Sequence, residues 1–405
     1  MKTNFKSAML AAAQLTAAGN LDAATAAIQR ALASDLPPAG APVPWPAARG
    51  AQAAGTGDVT DATDVIDVDA RWVGAAPDLA GAEARPRADG ANGANGANGQ
   101  MTAGRFSAPA GSREYLLYLP PQANAGSRLS LVVMLHGCTQ TPADFAVGTG
   151  MNELADRYAF AVLYPAQSKA ANPSACWNWF EPRDQRAGQG EPAIIAGMVR
   201  EVSARHEIPP GRVFVAGLSA GGAMAAILGS AYPELFAAVA VHSGLRAGAA
   251  HDLPSALAAM KRGAASNVAD ATHASAAAPS RGSRAGPPSA PMRKPVRTIV
   301  FHGRQDRTVH PANGRQVIES ALAAFPAGML SSRQESARSP GGRSFVRTVH
   351  ADAKGVPMVE QWEVQGAGHA WSGGRKAGSH TDPLGPDASA AMAAFFIGTS
   401  SPVPR

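Results

Sequence analysis

The stretch VFVAGLSAGGAMAAILGSAYP (213–233) decides the fold class. Six residues, Val213–Leu218, form an apolar run of strand length. A tight turn of small residues follows, and then a small-residue and apolar pattern of helical length. A strand with no polar alternation is buried on both faces, which is the situation of a strand inside a parallel sheet covered by helices. Working outward, runs of the same kind occur at LSLVVMLHG (129–137), FAVLYP (160–165), FAAVAVHSG (236–244) and RTIVFHG (297–303), VEQWEVQG (359–366) continues the series of strands, and SREYLLYLPP (112–121) is also strand-like. Helical patterns fall at 150–158, 191–205, 312–325 and 386–397. Strands alternating with helices predict an α/β protein with a mostly parallel central sheet flanked by helices.

Composition narrows the classes. Of 405 residues, 45% are hydrophobic, enough for a large core, and only 16% are charged, too few for charge-driven disorder or a coiled coil. Two cysteines exclude a disulfide-rich scaffold and a cysteine-based zinc site. No apolar run reaches the roughly 18 residues of a membrane-spanning helix. The net charge of +6 is uneven, with 7 Lys/Arg against 10 Asp/Glu in residues 1–100 and 29 against 20 beyond them. Those basic residues form no cluster interleaved with aromatics, so nucleic acid is not an expected partner.

The first hundred residues offer little core. Leu21, Ala24, Ile28 and Leu32 share one face of a helix predicted within residues 5–33. Residues 36–57 are rich in Pro, Ala and Gly, DVIDVDARWV (64–73) reads as a short strand, and GANGANGANG (90–99) reads as flexible linker. Gln14, Thr16, Asn20 and Asp22 interrupt the Ala-rich N-terminus, so it does not read as a signal peptide, and the expected location is the cytoplasm. Residues 263–295 are mostly Ala, Ser, Pro, Gly and Arg and read as a disordered insertion, while SSRQESARSPGGRS (331–344) reads as a mobile loop.

Gly217-Leu218-Ser219-Ala220-Gly221 matches G-x-S-x-G, and its strand–turn–helix context is what presents a serine as a nucleophile. Serine needs a base, and the base needs an orienting group. With the chain order Ser, Asp, His, HGRQDRTVHP (302–311) supplies Asp306 and GAGHAWSGG (366–374) supplies His369, both in loops after buried strands. His310 is the rival base, and His302 and His242 at strand ends read as packing residues. After the strand of 129–137, HGCTQ (136–140) brings the backbone N–H of Cys138 forward as an oxyanion donor beside that of Ala220. Trp177 and Trp179 of CWNWF (176–180), with Trp371, either pack a small core or line the cleft as an apolar wall for substrate. Cys138 and Cys176 either stay thiols, as in a reducing cytoplasm, or pair in a disulfide tying the Trp loop to the oxyanion loop. The chemistry calls for no cofactor and no metal.

HGCTQ (136–140), CWNW (176–179), GLSAGG (217–222), FHGRQDRTVHP (301–311), GAGHAWSGG (366–374) and GSHTDPLGPDASAAMAAFF (378–396) together resemble the polyhydroxybutyrate depolymerase family of esterases, whose catalytic domain acts on short-chain-length polyhydroxyalkanoates. The resemblance implies an α/β-hydrolase fold, hydrolysis of 3-hydroxyalkanoate esters, a triad of Ser219, Asp306 and His369, and Cys138 in the oxyanion loop. It also implies a secreted location as an alternative to the cytoplasm. The expected organisation is an N-terminal helical segment (1–35), a linker (36–104), and a catalytic domain (105–398) carrying the insertion 263–295. The family also stands close to feruloyl and acetylxylan esterases, so a small-ester or plant-cell-wall ester substrate is the second reading. A third, of another class, is a protein that binds polyhydroxyalkanoate granules and keeps the hydrolase fold as a scaffold. The complete Ser–Asp–His set argues against it.

Overall fold

In the computed structural model, which describes residues 99–125, 128–265 and 295–398, the apolar runs become neighbours in one sheet of ten strands. The chain enters through the hairpin β1 (Gln100–Ala108) and β2 (Gly111–Leu119). It continues through β3 (Ser130–Leu135), α1 (Pro142–Thr149), α2 (Met151–Tyr158), β4 (Phe160–Pro165), α3 (Gly190–Arg205), β5 (Val213–Leu218), α4 (Ala220–Ala231) and β6 (Ala238–His242). Then follow α5 (Leu253–Arg262), β7 (Arg297–Gly303), α6 (Ala312–Leu322), β8 (Ser331–Arg338), β9 (Ser344–Ala351), β10 (Pro357–Val364), the short pair β11 (Trp371–Ser372) and β12 (Thr381–Asp382), and α7 (Ala388–Ile397). The strand order is β1-β2-β4-β3-β5-β6-β7-β10-β9-β8. The middle six, β4 to β10, pair in parallel, and antiparallel strands flank them on both sides.

Every residue of β3, β4, β5 and β6 is buried. Successive side chains point to opposite faces, so each run feeds two cores. Leu131, Val133 and Leu135 join one apolar cluster with α3 and α4, and Val132 and Met134 join another with α7. A fully buried leucine or phenylalanine contributes about 1.5–3 kcal/mol, so this doubly covered centre is the rigid base from which the loops at the strands' carboxyl ends project.

Two boundaries differ from the sequence reading. The domain's first described strand starts at Gln100, ahead of the boundary expected at 105, because β1 pairs with β2 along its whole length, from Gln100 opposite Leu119 to Ala108 opposite Gly111. Its residues are mostly exposed, so the strand carries little of the apolar pattern that a reading by hydrophobicity needs. Residues 331–344 are no mobile loop but the strand β8 and its turn into β9. An edge strand pairs on one side only and lies off the core, so SSRQESAR stays polar. Arg347 of β9, buried between Glu335 of β8 and Glu360 of β10 at 2.9 Å from each, ties this extension to the sheet. The predicted N-terminal helix, the strand at 64–73, the linker to residue 98 and the insertion from 266 to 294 lie outside the described residues.

Candidate active site

β5 ends at Leu218 and α4 starts at Ala220, leaving Ser219 alone to turn the chain. It does so at φ 57° and ψ −118°, a conformation that costs a residue with a side chain of order 1–3 kcal/mol. Its N–H donates to His242 O at the end of the neighbouring strand, 2.9 Å away. The turn is this tight only because the residues two positions to either side, Gly217 and Gly221, lack side chains. A Cβ on Gly221 would lie 2.1 Å from Leu135 O and 2.6 Å from His136 O, both backbone atoms. Gly221→Ala is therefore expected to cost about 3 kcal/mol or more, the upper end of overpacking penalties, and to displace the serine. A urea midpoint within error of wild type would refute this packing account.

The strands β5, β6, β7 and β10 are consecutive and parallel, so the loops after β5, β7 and β10 leave the same edge of the sheet. Asp306 sits in the loop after β7 and His369 in the loop after β10. The two loops are stitched together by Arg304 N to Val364 O at 2.9 Å and Gln305 N to Ala367 O at 3.0 Å. His369 Nδ1 lies 2.7 Å from Asp306 Oδ2. A carboxylate oxygen can only accept, so the proton is on Nδ1, and Nε2 is left as the basic nitrogen. Asp306 Oδ1 accepts from Thr308 N at 2.9 Å and Val309 N at 2.8 Å. Burial by itself would raise the Asp306 pKa. The hydrogen bonds from His302, His369 and the Val309 N–H outweigh it and hold the carboxyl well below the usual carboxylate range.

His310, the rival base, is exposed, and its Nδ1 accepts from Ala312 N at 3.2 Å. His302 is buried at the end of β7, with Nε2 2.8 Å from Val309 O and 3.4 Å from Asp306 Oδ2. His242 is buried between the nucleophile loop and the histidine loop. Besides receiving the Ser219 N–H on its carbonyl, it accepts from Ser372 N at Nε2, 2.9 Å away. Burial first, then the neighbouring His302 and His369, push its pKa down from 6.5 to about 3. Between those two values the unfolded chain binds a proton that the folded chain refuses. The histidine's contribution is thus complete above pH 6.5 and is lost as pH falls toward 3. Stability to urea is expected to decline over that window, and less steeply in His242→Gln. Equal slopes in the two proteins would contradict it.

The backbone N–H groups of Cys138 and Ala220 donate to no acceptor among the described residues. Cys138 is held by a disulfide to Cys176, and the next residue, Thr139, donates its N–H to Ser174 O at 2.8 Å. Gln140, to which sequence reasoning gave no role, is buried. Its Oε1 accepts from Gly137 N at 2.9 Å while its Nε2 reaches Asp144 Oδ2 at 2.9 Å. Glu191 was equally missed. Buried at the start of α3, it accepts from Asn178 N at 2.8 Å, from Asn178 Nδ2 at 2.9 Å and from Gln167, and so fixes the Trp loop from behind. A single Glu in GEPAII carries no sequence signal of this kind, whereas Gln140 stood inside a motif already singled out.

The tryptophans are not an accessible wall. Trp177 is completely buried, and its Nε1–H donates to His136 O at 3.1 Å. Trp371 is also buried, stacked on His242, edge-on to Phe145, and bonded through Nε1 to Ser389 Oγ at 2.9 Å. Trp179 is 5% exposed and packs edge-on against Phe180. The large apolar area of an indole stabilises most when it is removed from water, and here it buttresses the oxyanion and histidine loops.

A family model described as Esterase PHB depolymerase matches residues 113–331, more than half of the chain. The chain belongs to that family. The matched span includes Ser219 and Asp306, while His369 lies beyond it. Among relatives of the family, poly(3-hydroxyalkanoate) depolymerase C of Paucimonas lemoignei is 34% identical over 264 residues, 65% of this chain and 60% of that protein. Feruloyl esterase B of Neurospora crassa is 34% identical over 153 residues, 36% of this chain and 50% of that protein. The chain thus spans between half and two thirds of the length of these two relatives. The solved acetyl xylan esterase from Aspergillus awamori superposes with a TM-score of 0.50 at 21% identity, covering 66% of this chain and 94% of that one, a likeness of fold.

Proposed function

We propose that this protein is a serine carboxylic ester hydrolase that cleaves poly(3-hydroxybutyrate) or its oligomers through an acyl-enzyme on Ser219. One observation carries the reading. A serine held at positive φ on a strand–helix turn shares a sheet edge with an aspartate-bonded histidine whose Nε2 has no hydrogen-bond partner among the described residues. Ser219 Oγ attacks the ester carbonyl and gives its proton to His369 Nε2. The N–H groups of Cys138 and Ala220 receive the oxyanion. The intermediate collapses, the alcohol leaves with the proton from His369, and water, activated by the same nitrogen, releases the acid. The catalytic unit in this proposal is residues 100–398.

The 3-hydroxyalkanoate substrate rests on the depolymerase relative. A feruloyl or acetylxylan ester is the second reading, favoured by the feruloyl esterase relative. Purified protein assayed on amorphous polymer granules, p-nitrophenyl butyrate and methyl ferulate separates them. Turnover of methyl ferulate without release of 3-hydroxybutyrate would reject the polyester. We propose further that the apolar stripe predicted in the N-terminal helix docks on polyhydroxyalkanoate granules, which a truncation starting at Gly99, keeping β1 whole, tests. Undiminished co-sedimentation with granules would reject it. Among the described residues no helix is long and apolar enough to cross a membrane. The Cys138–Cys176 disulfide favours an oxidising compartment over the cytoplasm.

A further inference from the structure

A cavity of about 300 Å³ adjoins the oxyanion loop. One wall is Thr139, Thr141 and Pro142, immediately after Cys138. The other is Ala166, Pro173 and Ala175. The walls are fixed to each other by the disulfide, by Thr139 N to Ser174 O, and by Gln167 N to His136 Nε2 at 3.1 Å. His136, which also lines the cavity, has its carbonyl against Gly221, two residues after Ser219. The cavity is therefore preformed, and its Thr139 wall directly follows Cys138 in the chain.

Its chemistry is lopsided. The amides of Gln140 and Gln167 are already spent on internal hydrogen bonds, as are the Thr139 and Thr141 hydroxyls, bonded to Cys138 O and Asp144 N, which leaves a largely apolar lining with the Ser174 hydroxyl. His136 is buried and accepts a hydrogen bond at Nε2, so it is neutral. No carboxylate lines the cavity, and the one charge in its lining is Lys169, exposed and without an ion pair among the described residues. Apolar walls with one unpaired ammonium suit an amphipathic anion.

We propose that this cavity is the subsite for the alcohol side of the scissile ester, and that Lys169 reads the free carboxylate at the end of a short hydroxyacid oligomer. The proposal rests on the serine-esterase reading above. In a 3-hydroxyalkanoate oligomer the acyl side of any ester bond runs toward the terminal hydroxyl, and the alcohol side runs toward the terminal carboxylate. An ester whose carbonyl oxygen sits on the Cys138 N–H can send its alcohol side into the adjoining cavity, where methyl branches meet Pro142, Ala166 and Pro173 and the carboxylate meets the ammonium. The neutral sugar of an acetylxylan or feruloyl ester and the interior of a long polyester have no charge to offer there. The site thus favours oligomer ends.

The test compares kcat/KM for the 3-hydroxybutyrate trimer as free acid and as methyl ester, using the full chain at low salt. A solvent-accessible ion pair contributes up to about 1 kcal/mol, roughly fivefold, so the acid is expected to be preferred by about that factor. The ratio should fall to about one in Lys169→Gln, persist in Lys169→Arg, and shrink in high salt. Thermal melting checks that the variants are folded. A ratio of one in wild type, or a preference that survives Lys169→Gln, would overturn the subsite while turnover of p-nitrophenyl butyrate left the esterase reading standing. Failure of wild type on p-nitrophenyl butyrate and on both trimers would overturn both.

Discussion

Ser219→Ala is expected to lower kcat/KM on p-nitrophenyl butyrate by at least about three orders of magnitude, with circular dichroism and melting temperature close to wild type. In the proposed mechanism the hydroxyl is the nucleophile that the β5–α4 turn presents, and an alanine occupies the same positive-φ turn with a similar backbone cost. Its N–H to His242 O bond is untouched. His369→Ala should cost about as much, and the double variant hardly more, because base and nucleophile act as a unit. Retained activity in a folded Ser219→Ala protein would remove the assignment. If His310→Ala were the crippling change instead, the base has been misassigned. The geometry argues against that, since His310 Nδ1 is taken by the Ala312 N–H while His369 leans on a buried carboxylate.

The parallel sheet was legible because Val213–Leu218 and its counterparts are apolar without alternation, and burial on both faces is what writes that pattern. The loop positions of the proposed triad, Ser219, Asp306 and His369, were legible for a related reason, since each lies within a few residues of a strand's carboxyl end. Elements at the sheet's margins were not. β1 and β8 are mostly exposed hydrogen-bonding partners, β1 of mixed composition and β8 polar, and pairing through the backbone leaves no mark on side-chain chemistry. The tryptophans of the CWNWF loop left two readings open, core packing or a substrate wall, and burial decides for the first. The indole N–H groups of Trp177 and Trp371 find His136 O and Ser389 Oγ inside the core. Nothing in the spacing of Gln140, Asp144 and Ser379 announces that they meet, because the hydrogen bonds from Gln140 to Ser379 span 239 residues of sequence.

Asp306→Asn is expected to lower kcat/KM by about three to four orders of magnitude without unfolding the protein. The reason lies in which oxygen is already committed. Oδ1 accepts the Thr308 and Val309 N–H groups, so that position must remain an oxygen. An asparagine oriented to keep those bonds presents its NH₂ group to His369 Nδ1. That nitrogen would then have to accept, which puts the ring proton on Nε2 and leaves no lone pair to take the proton from Ser219. Flipping the amide would offer oxygen to the histidine but would aim two N–H donors at the backbone N–H groups of Thr308 and Val309. The buried negative charge that stabilises the imidazolium is lost in either orientation. Proton NMR of the imidazole N–H resonances should show the shift from Nδ1–H to Nε2–H. Activity within tenfold of wild type, or an unchanged Nδ1–H signal, would mean that Asp306 is not the group that orients the base.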